Sequence, residues 1–159
     1  MRKVDRRALF GFIGVCLLAG LAGYLLITPD IPGWYAGLHK PAFTPPDWAF
    51  SPVWTVLYIA MGIAAYMIWK SDSQKREKAN AILLFAIQLV LNVMWVFVFF
   101  GMHNIRGGFL VAFGLMVAIA LTIVSFAKIS GKAALLLVPY ILWVIFATAL
   151  NFSVVLLNP

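Results

Sequence analysis

Five apolar stretches dominate the chain: Ala8 to Ile27, about Phe50 to Trp69, Ala79 to Gly101, Ile105 to Ala127, and Ala133 to Leu157. A helix rises about 1.5 Å per residue, so about 20 residues cross the ~30 Å hydrocarbon layer of a bilayer. Each stretch is long enough. Hydrocarbon offers no partner for backbone N–H and C=O groups, so a spanning segment must satisfy them internally, as a helix does. Of the 159 residues 64% are hydrophobic and only 11% charged, against about 25% charged in a soluble domain. Too little polar surface exists to coat a water-soluble globule. The expectation is an all-α membrane protein, a single domain over residues 1–159 built as a bundle of five transmembrane helices.

The net charge of +7 does not point to nucleic acid. The basic residues sit between apolar segments and are not interleaved with aromatics on one surface. Arg2, Lys3, Arg6 and Arg7 precede the first span, Lys70, Lys75, Arg76 and Lys78 follow the second, and Lys128 and Lys132 follow the fourth. With five spans these ten share one side of the membrane, and the other side holds only Lys40 and Arg106. That bias predicts a cytoplasmic N-terminus and an outside C-terminus. The loop Ser71 to Lys78 reads as a solvated segment near lipid headgroups. Basic residues ahead of an apolar run, with Gly20-Leu21-Ala22 beyond, also resemble a cleavable leader. The run continues unbroken to Ile27, longer than a usual leader core, so it is expected to stay as the first span. The single cysteine, Cys16, lies in that span with no ligand cluster around it and reads as a small apolar residue.

The longest connection, Thr28 to about Ala49, holds Pro29, Pro32, Pro41, Pro45 and Pro46 with Trp34, Tyr35, Phe43 and Trp48. A disordered linker would be polar. This one is stiff and aromatic and is expected to cover the helix ends as a lid, in preference to a simple interfacial belt. Two starts are open for the second helix. Ser51 caps it with Pro52 in the first position, or it begins near Pro46 and Pro52 kinks it. Asp47 sits at the positive end of the helix dipole in either case.

No Asp, Glu, Lys or Arg falls mid-span, so the ionisable group that proton-coupled transport needs has no candidate. Nor has the acid, base or activated nucleophile of a hydrolase. His39 and His103 lie near span ends. They read as interfacial residues, with haem ligation the alternative. What remains inside the spans is neutral. Gln88, Asn92 and Trp95 share a face of the third helix, Trp143, Ala147 and Asn151 share one on the fifth, and Trp54, Tyr58, Met61 and Ala65 form a stripe on the second. A buried amide is costly unless bonded, so Gln88, Asn92 and Asn151 should face inward. They either tie helices together or orient a ligand in an aromatic pocket; spacing leaves both open. Small pairs such as Ala19 and Gly23, Ala60 and Ala64, and Gly114 and Ala118 permit close helix packing.

Taken in order, several local patterns resemble the TspO/translocator protein family, the tryptophan-rich sensory proteins and peripheral-type benzodiazepine receptors. Trp34-Tyr35-Ala36-Gly37-Leu38-His39-Lys40-Pro41-Ala42-Phe43-Thr44-Pro45-Pro46 is similar to its first loop. Pro52-Val53-Trp54 with Leu57-Tyr58 and Met61-Gly62 resembles its second helix. Gln88 to Asn92 with Trp95 and Phe99-Phe100-Gly101 resembles its third, and Pro139-Tyr140 with Trp143 and Ala149-Leu150-Asn151-Phe152 its fifth. The resemblance implies a compact bundle, commonly a homodimer, with a cavity beneath the first loop that takes porphyrins, haem-like tetrapyrroles and benzodiazepine-type ligands. Positions matching that pocket are Tyr35, Pro45, Trp54, Asn92, Trp95, Trp143, Ala147 and Leu150. With Tyr58, Gln88 and Asn151 from the inward stripes they make the expected ligand-binding set.

No cofactor is required on this reading; porphyrin or haem would be the ligand, with other apolar small molecules and membrane lipid as further partners. A tetrapyrrole sensor or carrier is the leading expectation. A light-dependent porphyrin-degrading enzyme, with Trp54 and Trp143 as its redox residues, is the second, and a facilitative transporter of small apolar molecules the third. One departure stands out. Family members from mitochondria carry a tyrosine followed by a basic residue near the end of the fifth helix; here Phe152 stands there and nothing basic follows Lys132. The departure puts specific sterol binding in doubt and favours a prokaryotic plasma membrane.

Overall fold

A computed structural model describes residues 4–27 and 31–159 of the chain. Pro29 of the connecting loop and the basic residues Arg2 and Lys3 lie outside the described residues. The helices are α1 (Arg6–Ile27), α2 (Asp47–Lys70), α3 (Lys75–Val96), α4 (Ile105–Ala127), α5 (Gly131–Leu136) and α6 (Val138–Leu157). α3 runs on into a wider π-helical turn, Phe97–Gly101, and α5 with α6 forms the fifth span. All five spans are long and apolar enough to cross a bilayer. Their outer faces carry exposed Phe10, Leu18, Leu110, Leu135 and Leu142, as a surface against lipid should. The protein is an integral membrane protein.

The helix ends follow local chemistry. Pro46, with φ −63° and ψ 144°, holds an extended backbone just before α2, and Asp47 places a carboxylate in its first turn. Pro52 therefore lies inside the helix. Ser51 is not the cap, because two consecutive prolines set the start one turn earlier. The missing Pro52 N–H leaves the Trp48 carbonyl without its helical donor. α4 is capped by Asn104, whose side chain accepts from the Gly107 N–H at 2.8 Å. Ser130 caps α5 by accepting from Ala133. The fifth span is interrupted at Leu137 because Pro139 has no N–H to return to Leu135.

α1 packs on α2, α3 on α4, and α4 on α6, while α5 wedges between α2 and α4. Towards the end that carries the α2–α3 and α4–α5 connections the packing is tight. A Cβ built on Gly62 would lie 2.5 Å from the Ile13 Cα, so α1 and α2 touch backbone to backbone there. Met61, Ala64, Ile68, Leu115, Ile119 and Phe126 are fully buried in this half. Phe85 and Phe126 stack with centroids 6.0 Å apart. The basic residues of the two connections and of the start of α1 gather at this same end, because successive spans alternate in direction. There the Asp5 N–H donates to the Tyr66 hydroxyl at 3.0 Å.

Candidate functional site

The opposite half of the bundle is hollow. The loop between α1 and α2 crosses it as a lid, anchored at three places. Its turn Ile31–Tyr35 stacks Trp34 on the His103 imidazole, 4.4 Å between centroids and 19° between planes. Trp34 also meets Phe99 edge-on at 5.4 Å, and Tyr35 packs on Phe100 at 5.4 Å. Lys40 donates to the Tyr35 carbonyl at 3.0 Å with its ammonium 4.2 Å over the Tyr35 ring. Burial, and then the nearby Asp47 carboxylate, raise the Tyr35 phenol above its ordinary pKa. At the far side the lid is clasped to the end of the fifth span. The His39 N–H donates to Asn158 Oδ1 at 3.0 Å, and Asn158 Nδ2 donates back to the His39 carbonyl at 2.9 Å.

Beneath the lid lies a cavity of about 520 Å³, within the usual range of about 300–1,000 Å³ for small-molecule sites. α1 contributes Leu17, Gly20, Leu21 and Tyr24 to its wall, and α2 contributes Phe50, Ser51, Trp54, Thr55 and Tyr58. α3 and its π-turn supply Asn92, Trp95, Val96, Phe99 and Phe100; α6 supplies Ala147, Leu150, Asn151 and Val154. Leu17, Leu21, Tyr24, Ser51 and Thr55 are also exposed on the outside of the bundle. The cavity is thus open sideways, between the outer halves of α1 and α2, towards the hydrocarbon. Gly20 is needed where it stands: a Cβ there would come within 2.5 Å of the Tyr58 ring.

The polar groups of the wall are bonded to one another. The Tyr58 hydroxyl donates to Asn92 Oδ1 at 2.6 Å, Asn92 Nδ2 donates to the Tyr140 hydroxyl at 3.1 Å, and Tyr140 donates to Gln88 Oε1 at 2.8 Å. Asn151 Nδ2 donates to the Ala147 carbonyl at 3.0 Å, and Trp95 Nε1 reaches Asn151 Oδ1 at 3.5 Å. Trp54 lies 5.5 Å from Tyr58, 6.0 Å from Trp95 and 6.2 Å from Tyr140. Trp54, Tyr58 and Trp95 line the cavity, with Trp54 tilted 30° from Tyr58 and 39° from Trp95, and offer ring faces to a flat ligand, while Tyr140 lies behind them.

Of the residues named from sequence, the structure brings Tyr35, Trp54, Tyr58, Asn92, Trp95, Ala147, Leu150 and Asn151 to the cavity. Pro45, Gln88 and Trp143 do not line it. Gln88 is one turn deeper than Asn92, fully buried behind it. Trp143 lies in a separate apolar groove with Pro52, Val53, Leu142 and Phe146, on the lipid side of the seam between α2 and α6. Its ring is 5.9 Å from Phe50, so it backs the cavity wall without facing inward. The helical drift explains this: eight residues before Asn151 the side chain has turned roughly 80° away. Asn92 and Asn151 tie neighbouring groups together and also line the cavity.

Sequence reading missed Tyr140, the partner of both Asn92 and Gln88, although two buried amides on one face require a donor or acceptor nearby. It also missed the α1 wall, whose residues carry no polar or aromatic periodicity. Among the described residues no three His, Cys, Asp or Glu side chains come together as a metal site.

Fold and site define a class: a five-span integral membrane protein with a lid-covered, aromatic, ligand-sized cavity inside the bundle. The chain belongs to the TspO/MBR family, whose sequence model matches residues 12–157. It is 46% identical over 148 residues to the tryptophan-rich protein TspO of Chlorobaculum tepidum, covering 92% of this chain and 93% of that one. It is 43% identical over 142 residues to the protein of the same name from Archaeoglobus fulgidus, covering 89% and 91%. The human translocator protein is 42% identical over 122 residues, 76% of this chain and 72% of that protein.

Proposed function

We propose that this protein is a membrane receptor or carrier that binds porphyrin- or haem-type tetrapyrroles, and other flat apolar molecules, in the cavity beneath the lid. The observation that carries the reading is the cavity itself: about 520 Å³, walled by Trp54, Trp95, Phe99 and Phe100, with the neutral amides Asn92 and Asn151 in its wall and Asp47, at the start of α2, the one charged side chain among its described lining residues. Such a site rewards stacking and leaves orientation to a few hydrogen bonds. Two routes lead to it: beneath the lid, and from the bilayer through the side opening between α1 and α2. Lys40 and His39 on the lid supply polar groups near the aqueous edge, where a propionate would emerge. The name of one relative, the tryptophan-rich sensory protein of Cereibacter sphaeroides, fits this role.

Ten basic residues against two favour a cytoplasmic N-terminus and an outer lid in a prokaryotic plasma membrane. The exposed apolar helix faces suit a homodimer within the bilayer. A second reading, light-dependent breakdown of the bound porphyrin, is favoured by Trp54. It places an oxidisable indole in the wall where an excited macrocycle would lie.

Titration of the purified protein in detergent with protoporphyrin IX tests both. Saturable quenching of Trp fluorescence, weakened by Trp54→Ala, supports the receptor. A product formed only in the light and lost in Trp54→Phe adds the enzymatic reading. Binding no tighter than to empty micelles overturns both.

A further inference from the structure

The polar chain that leads away from the cavity has an unusual ending. Tyr58 and Asn92 line the cavity; Tyr140 and Gln88 lie behind them, and Gln88, Asn92 and Tyr140 are all essentially inaccessible. The chain stops at Gln88 Nε2, which is buried with no hydrogen-bond partner. Every member of this chain is both donor and acceptor: the two hydroxyls rotate, and the two amides can turn over. Two polarities therefore satisfy the same three contacts. In one, donors run inward from Tyr58 to Gln88, and the Tyr58 oxygen is left with a free lone pair. In the other, Gln88 Nε2 donates to Tyr140, Tyr140 to Asn92 Oδ1, Asn92 Nδ2 to Tyr58, and the Tyr58 O–H is left to donate. Each polarity strands one group of the Gln88 amide, an N–H pair in the first and a carbonyl in the second. Neither is strongly preferred.

We infer that Tyr58 is a specificity-determining contact that serves ligand donors and ligand acceptors alike, and that Tyr140 and Gln88 are positioning residues that let it reverse. The inference rests on the cavity being a ligand site. It adds the ligand chemistry: flat apolar molecules carrying either one N–H, such as a free-base pyrrole, or one carbonyl.

Gln88 is the residue that betrays the mechanism. In Gln88→Leu the inward polarity leaves the Tyr140 O–H without an acceptor, whereas the outward polarity stays bonded throughout. The variant should therefore hold Tyr58 as a donor. A loss of packing would weaken all ligands together; a locked polarity moves only one class.

Three tricyclic probes of nearly one shape decide it: carbazole with an N–H, fluorenone with a carbonyl, and fluorene with neither. Their affinities are measured by displacement of protoporphyrin IX from the detergent-solubilised protein. The unaltered protein should bind carbazole and fluorenone each about three- to tenfold tighter than fluorene, the worth of one net hydrogen bond. Gln88→Leu should bring carbazole down to the fluorene level and leave fluorenone at its advantage. Tyr58→Phe should erase both advantages, and Gln88→Leu should add nothing to it. A protein that favours only one of the two probes over fluorene overturns the inference without needing any variant. So does a Gln88→Leu protein in which carbazole and fluorenone fall equally. If protoporphyrin binds and no probe displaces it, Tyr58 is not a ligand contact. If protoporphyrin itself does not bind, the cavity reading fails and the inference with it.

Discussion

The two halves of this bundle are built from the same helices and much the same residue types, yet one is solid and the other hollow. In the solid half a glycine lets two backbones touch, at Gly62 and Ile13, and small residues such as Ala64 and Ala65 keep α2 close to its neighbours. In the hollow half the α1 glycines face side chains and not backbone. The Gly20 position meets the Tyr58 ring, and a Cβ on Gly23 would rest at an ordinary 3.6 Å from Val96. Large aromatics hold the helices apart there, and the amides that would be stranded are bonded sideways to tyrosines. The lesson is that a small residue in a span closes the bundle only when backbone lies opposite it. Opposite an aromatic ring it makes room instead.

That comparison can be broken most forcefully at Gly62. Gly62→Leu forces a side chain into the Ile13 backbone and should cost about 3 kcal/mol, since neither helix can yield without moving the other. Unfolding in mixed micelles with rising dodecyl sulfate gives the value, and a cost below about 1 kcal/mol would mean the solid half is looser than described.

Next in size is Trp54. Trp54→Ala removes the centre of the aromatic wall and should weaken protoporphyrin IX by about tenfold or more. Trp143→Ala, on the lipid side of the seam, should change affinity by less than about threefold. Fluorescence titration of both compares the two faces of one wall; equal losses would place Trp143 in the site after all.

A smaller effect is expected at the lid. Asn158→Ala removes both bonds of the clasp with His39, together worth about 1 kcal/mol at an exposed position. It should raise the porphyrin dissociation rate about fivefold. Amide exchange of residues near His39 should quicken as well. A stopped-flow dissociation rate that does not change would show that the ligand leaves sideways and never through the lid.

The smallest change is Gly23→Ala, where the new methyl finds a normal contact. Stability should shift by less than about 0.5 kcal/mol. A large loss would mean that α1 approaches α3 more closely in the membrane than the cavity allows.

The membrane class, the five spans and their approximate limits were readable from apolar length alone, and so was the lid, from its prolines and aromatics. The start of α2 was not. Pro46 and Pro52 are equally plausible punctuation, and only the extended backbone at Pro46 chose between them. In the site, Asn92 and Asn151 were legible because a mid-span amide has to find a partner, whereas Tyr140 as that partner was not. Trp143 was misplaced by a stripe that looks straight in sequence and spirals in space.

Apolar length and charge order are properties of each segment taken singly, because the bilayer acts on one span at a time; the sequence by itself therefore determined that this chain spans a membrane five times. The cavity is a property of several helices at once. Its volume depends on which side chain meets which across a gap, and a shift of one turn would fill it. Only the tertiary structure decided that Gly20 faces a ring while Gly62 faces backbone, and that Tyr140 closes a hydrogen-bonded chain begun at Tyr58.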